Sequence, residues 1–140
     1  MNVRLLLVDP RPLMRRRLRH LLEEQGGCEV VAEASDAVEG ARLAQIHQPA
    51  VAVIDLTAPV VSGVDATRRI IEHSPSTRVI VLSVHSDAAY IAHARNAGAV
   101  GFVLTDSADV DLPVAVRDVA EGRAFLSPAV RHMVGDSASG

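Results

Sequence analysis

At 140 residues the chain is long enough to bury the core of one domain, and a hydrophobic fraction of 49% excludes extensive disorder. A net charge of −3 argues against nucleic-acid binding by this chain alone, and with aromatics at 2% the core must be built from Leu, Val, Ile and Ala. All 14 basic residues are arginine, which removes Schiff-base and lysine–phosphate chemistry.

The first strand is the continuous apolar run Val3–Val8, which ends on Asp9 and Pro10. Residues 12–25 read as a helix, because Met14, Leu18, Leu21 and Leu22 fall at i, i+4, i+7 and i+8 and Gly26-Gly27 stops the pattern. Cys28–Ala34 is a second strand. The one cysteine, Cys28, excludes an intrachain disulfide and is expected as a buried structural thiol. Residues 36–48 form a helix with Ala37, Ala41 and Ala44 on one side, ended before Pro49. Residues 50–55 are an apolar strand ending on Asp55. A helix over 63–73 is capped by Ser62 and carries Asp65 in its first turn. A strand over 77–83 ends on Ser83, a helix over 87–97 is ended by Gly98, and a strand over 100–104 is followed by Thr105. Leu112, Val116, Val119 and Ala120 mark a last helix ended by Gly122.

Five strands thus alternate with five helices. Strands that are apolar throughout, not at every second residue, are buried on both faces, which predicts a parallel sheet between helix layers. The expected fold class is α/β with a doubly wound sheet, and its site belongs at the C-terminal ends of the strands. Asp9, Asp55, Ser83 and Thr105 stand at those ends. Two carboxylates with a backbone carbonyl can hold Mg²⁺, and a carboxylate beside such a metal can attack phosphorus. No G-x-G-x-x-G or P-loop follows the first strand, so an enzyme is not expected. His20, His47, His73, His85, His93 and His132 have no metal-ligand spacing and are expected at the surface. The longest apolar run is too short to span a membrane, and the N-terminus does not read as a signal peptide, so a cytoplasmic protein is expected.

Several segments together resemble the receiver domain of response regulators, in particular of the NarL/FixJ type of two-component transcription factors. VIDLTAPVVSGVDATRRI, residues 53–70, resembles the segment around a phospho-accepting aspartate. VIVLSVH (79–85), NAGAVGFVLTDSA (96–108) and AVRDVAEGRAFLSPAV (115–130) resemble the later strands, the last helix and the start of a linker. The resemblance covers about Val3 to Val134. It implies a flavodoxin-like five-stranded sheet in the order 2-1-3-4-5, with residues 1–122 as the receiver domain. Residues 123–140 would be a linker-like segment leading to an output domain absent from this chain. It also implies Asp55 as phospho-acceptor, Asp9, Asp55 and the carbonyl of Thr57 as Mg²⁺ ligands, and Ser83 and Phe102 as switch residues. Pro59 and Gly63 match turn residues of the acceptor loop.

The departures from the family pattern are specific. Pro10 stands where a second acid usually ends the first strand, Thr105 where a lysine usually follows the last strand, and Ala58 where a methionine is usual. Any Mg²⁺ would be held weakly, by one carboxylate fewer. A phosphoryl group on Asp55 would lack a charge-assisted contact worth roughly 1.5–3 kcal/mol. Arg11 is the nearby cation, with a solvated loop side chain as the preferred reading, and Arg15, Arg16, Arg17 and Arg19 read as the wet face of a helix beside Glu23 and Glu24.

Asp55 is then either a relic or a working acceptor, Ser83 a loop residue bonding backbone, and Phe102 a core aromatic or a switch. The expected function is an atypical receiver, phosphorylation-independent or weakly phosphorylated at Asp55. It would control a DNA-binding output through homodimerisation, with a histidine kinase as a further partner, DNA contacted only by the output domain, and no membrane. The faces considered for the dimer are the first and last helices, or the fourth helix and fifth strand. The alternative is a ligand-sensing pseudo-receiver using the crevice beside Pro10 and Thr105.

Overall fold

Leu5, Leu6, Leu7 and Val8 are all buried, and successive side chains enter opposite cores. This is the behaviour of a strand in the middle of a covered sheet, and β1 (Val3–Val8) is that strand. The computed structural model describes residues 2–25, 27–55, 60–84 and 88–128, without the side chains of 60–62. Gly26 and Asp87, named above as a helix stop and a helix start, lie outside the described residues, as do Thr57, Ala58, Pro59, His85 and His132.

The strands are β2 (Cys28–Ala34), β3 (Val51–Ile54), β4 (Arg78–Ser83), β5 (Gly101–Leu104) and β6 (Phe125–Leu126). They form one parallel sheet in the order β2-β1-β3-β4-β5-β6. The first five positions are those expected from the sequence, and β6 extends the edge beyond β5. Between them run α1 (Pro12–Glu24), α2 (Ala37–His47), α3 (Val60–His73), α4 (Ala88–Ala97) and α5 (Ala108–Ala120). Leu18 and Leu22 of α1 and Leu112, Val116 and Val119 of α5 cover one face with Leu5, Leu7 and Val53. Ala44 of α2, Ala66 and Ile70 of α3 and Tyr90 and Ile91 of α4 cover the other with Leu6, Val8 and Ile54. Each large aliphatic side chain so buried contributes about 1.5–3 kcal/mol relative to exposure. Among the described residues no helix is long and apolar enough to cross a membrane.

Local chemistry explains the helix ends. Asp36 caps α2 by accepting from the Glu39 amide at 2.8 Å. At the other end Gln48 takes a left-handed φ of 45°, its backbone N–H donates to the Ala44 carbonyl at 2.8 Å, and its Nε2 donates to the Ala44 and Gln45 carbonyls of the last turn. Gly98 ends α4 at φ +117°, where a side chain would run into Ile71 as well as being strained.

Four expectations are corrected. Helix α3 begins at Val60, so Ser62 lies inside it and does not cap it, and Asp65 lies beyond the first turn, paired with Arg69 at 2.7 Å. Helix α5 begins at Ala108, ahead of the apolar pattern, after a 3-10 turn at Thr105–Ser107. The chain past Gly122 returns to the sheet as β6: the Phe125 amide donates to the Val100 carbonyl at 3.0 Å and the Ser127 amide to Phe102 at 2.9 Å. Cys28 is only half-buried, and that burial pushes its thiol up. Of the histidines, His20, His73 and His93 are exposed and His47 is partly exposed.

Candidate functional site

The register of β1 with β3 pairs Val8 with Ile54, so the next residues, Asp9 and Asp55, leave adjacent strands side by side. The Asp9 amide donates to the Ala34 carbonyl at 2.9 Å and the Asp55 amide to the Val8 carbonyl at 2.8 Å, which fixes both backbones at the sheet's C-terminal edge. Both side chains are buried, at 0% and 1% exposure. Two carboxylates in one dry site repel each other unless a cation or a proton intervenes.

Arg11 is that cation. Its Nη2 donates to Asp55 Oδ2 at 2.7 Å and to Asp9 Oδ2 at 3.3 Å, its Nε to Asp9 Oδ1 at 3.2 Å, and its backbone N–H to Asp9 Oδ1 at 2.8 Å. The solvated-loop reading of Arg11 is therefore corrected: the side chain is 46% exposed, but its guanidinium bridges both buried acids. Local sequence sets this up, because a residue before proline is held extended, and Arg11, ahead of Pro12, has φ −96° and ψ 110°. Arg15 adds a second support, donating from Nη1 to the Asp9 carbonyl at 2.7 Å and from Nε to Glu33 at 3.2 Å. Arg19 also meets Glu33, at 2.8 Å. These two arginines hold α1 to β2 and are more than a wet helix face.

One guanidinium does not neutralise two acids. Asp55 is pushed up to about 7, first by burial and then by hydrogen bonding to and the charge of Asp9, against the opposite pull of Arg11. Its Oδ1 is buried without a hydrogen-bond partner among the described residues. Tyr90 of α4 was not singled out in the sequence. Its hydroxyl is also buried without a partner, and it is pushed up to about 12 by burial and by the charge of Asp55. The only sign of it in the sequence is that it is the sole tyrosine.

Because Asp55 holds its proton more tightly folded than unfolded, its contribution to stability is greatest in acid, falls as pH rises from about 4 to about 7, and is constant above. Asp55→Asn abolishes that titration. Its unfolding free energy, measured by denaturant titration at a series of pH values, is expected to gain on the native protein's through this window, by on the order of 1–2 kcal/mol. A margin that shrinks with rising pH would contradict the assignment.

The other expected site residues are placed as follows. Pro10 lies beside Arg11 on an open, shallow depression that continues to Leu13 and Arg17. Ser83 ends β4 opposite Leu104, partly buried. Thr105 opens the 3-10 turn with its Oγ1 buried and without a partner, and it lines a cavity of about 360 Å³ between α1 and α5. Leu82, Leu18, Met14, Asp106 and Asp109 also line that cavity, whereas Asp9 and Asp55 do not. Phe102 is buried on β5 with the Arg95 guanidinium 5.8 Å above its ring. Thr57 lies outside the described residues. Among the described residues no group of three or more His, Cys, Asp or Glu side chains is placed to share a metal ion.

Residues 5–117 match the family described as the response regulator receiver domain. The transcriptional regulatory protein DegU of Brevibacillus brevis is 34% identical over 131 residues, covering 94% of this chain and 56% of DegU, so the chain spans little more than half of that relative. A LuxR-family two-component response regulator from Aurantimonas superposes with a TM-score of 0.91 at 34% identity, each chain covered completely. A structure of two RcsB dimers bound to two parallel DNAs superposes with a TM-score of 0.84 at 25% identity, over 96% of this chain and 68% of that one.

Proposed function

The chain belongs to the response regulator receiver domain family, and from that membership we propose that it is the signal-input domain of a two-component transcriptional regulator, atypical in that Asp55 accepts phosphate weakly or not at all. The observation that carries this reading is the ion cluster of Asp9, Arg11 and Asp55. A phosphoryl donor reaching Asp55 meets a guanidinium held on its Oδ2 at 2.7 Å, and Pro10 and Thr105 supply neither the extra carboxylate nor the ammonium of the family pattern. Above pH 7 the cluster of two carboxylates and one guanidinium carries one net negative charge, which disfavours an incoming phosphate anion.

Output would pass through dimerisation and a DNA-binding domain after residue 140, with residues from about 128 onward as the connection. The α1–α5 face supports this. Leu13 is 78% exposed on α1, and Val110 and Val114 are exposed on α5. Arg16 and Arg17 of α1 are exposed, as are Asp106 in the 3-10 turn and Asp109 in the first turn of α5, so a two-fold pairing can match opposite charges. The α1–α5 cavity with its unpartnered Thr105 hydroxyl favours a second reading, a receiver that senses a small neutral ligand, since about 360 Å³ lies in the range of small-molecule sites.

The test is intact mass after incubation with acetyl phosphate and Mg²⁺, with Asp55→Asn alongside. The expected result is little or no phosphoryl-sized gain under conditions that modify an ordinary receiver. A full gain that vanishes in Asp55→Asn would overturn the atypical reading.

A further inference from the structure

We infer that Arg11 is the pocket's resident cation, standing where a divalent metal would sit in a receiver of the usual pattern, so that this site takes no Mg²⁺. The inference rests on the receiver reading above and adds a cause to it. Mg²⁺ requires near-octahedral oxygen ligands at about 2.0–2.1 Å. Of the four carboxylate oxygens of Asp9 and Asp55, three already accept from the Arg11 guanidinium, at 3.2, 3.3 and 2.7 Å, and only Asp55 Oδ1 is left without a partner. The Asp9 backbone carbonyl is taken by Arg15 at 2.7 Å. Pro10 brings no side-chain ligand. The donor set that the described residues present therefore does not fit the metal.

A dication placed on the same two carboxylates as a guanidinium would face a like charge within a few ångströms, and that repulsion opposes its binding even where water partly screens it. Displacing Arg11 is also unfavourable for a local reason. Its backbone N–H bonds Asp9 Oδ1 at 2.8 Å, and the proline on either side restricts its backbone. The planar guanidinium reaches two acids at once, which a lysine at the same position could not do with the same geometry.

The test is Mn²⁺ titration of the ¹⁵N-labelled chain, reading paramagnetic broadening of the Asp9, Arg11 and Asp55 amides in the native protein and in Arg11→Ala. The native protein is expected to show no broadening confined to these amides at Mn²⁺ levels that broaden them in Arg11→Ala, with a difference of at least about tenfold in concentration. Equal broadening in both proteins would overturn the inference, as would none in either, since Arg11 would then not be what excludes the metal. Should Arg11→Ala not fold, Arg11→Gln takes its place. The native protein gives an independent readout: the Arg11 Nε–H signal should be unmoved by millimolar Mg²⁺, and its displacement would overturn the assignment. No phosphoryl donor is present. Metal-free phosphorylation of Asp55 would therefore sink the weak-acceptor reading and leave Arg11's role intact, whereas selective Mn²⁺ binding by the native protein sinks the Arg11 assignment alone.

Discussion

Arg11→Ala should destabilise the protein by about 2–3 kcal/mol near pH 8 and by about 1 kcal/mol or less near pH 5. The first figure follows from what is left behind. Asp9 and Asp55 are both buried, and removing the guanidinium strands two carboxylates in one site. Breaking a fully buried pair costs about 3–5 kcal/mol. Arg11 is nearly half exposed, so water screens part of the interaction, and the expected loss is set below that range. The second figure follows from the proton. Asp55 is pushed up to about 7, and Arg11 is one of the groups holding it down, so its removal drives Asp55 higher still. Near pH 5 the folded protein carries a protonated Asp55 whose O–H can donate to Asp9, and the proton takes over the role of the missing cation. The check is urea unfolding of both proteins at the two pH values. Equal losses would mean that Arg11 stabilises by packing alone and that the charge reading of the cluster is wrong.

What could be read from the sequence divides along physical lines. Continuous apolar runs mark strands covered on both faces, so β1, β3, β4 and β5 and their parallel arrangement were legible. Asp9 and Asp55 were legible for the same reason, since each is the first acid after a buried run. Arg11 was visible but misjudged, because a lone cation in a loop has no periodicity and its partner Asp55 is 44 residues away. The three-residue error at the start of α3 arose because Ser62 is a good capping residue type, yet the apolar pair Val60-Val61 already begins the helix. Helix α5 was found only from Leu112 because its first turn is acidic and Pro113 lies within it. Acids suit a helix N-terminus through the dipole but leave no apolar pattern, and Pro113, inside the helix beyond its first turn, removes an amide donor and reads in the sequence as a breaker. Strand β6 is two residues long, and only its pairing with Gly101 and Phe102 distinguishes it from a loop.

Ending the chain after Gly122, at the boundary expected from the sequence, should destabilise the domain by about 3–5 kcal/mol, a large share of the 5–15 kcal/mol typical of a domain. The edge of β5 would lose the Phe125 amide donor to Val100 and the Ser127 amide donor to Phe102. Phe125 and Leu126 each pack partly buried against the two cores, and removing them forfeits about 1–2 kcal/mol apiece. Ser127 is 1% exposed, and its hydroxyl has two tasks: it accepts from the Leu104 amide at 3.1 Å and donates to Asp111 Oδ2 at 2.8 Å. Without it Asp111 keeps Ser107 at 2.7 Å, while the Leu104 amide loses its partner, at about 1–3 kcal/mol if it stays dry. Ser127→Ala in the 140-residue chain isolates that last contribution and should cost about 1–2 kcal/mol. Thermal unfolding of the two variants beside the native protein decides the point. If the truncated chain unfolds within about 2 °C of the native one, β6 adds nothing to the sheet and the folded unit ends at Gly122. A large loss reproduced in part by Ser127→Ala places residues 123–127 inside the receiver fold and makes the edge of β5 the point where the chain beyond couples to it.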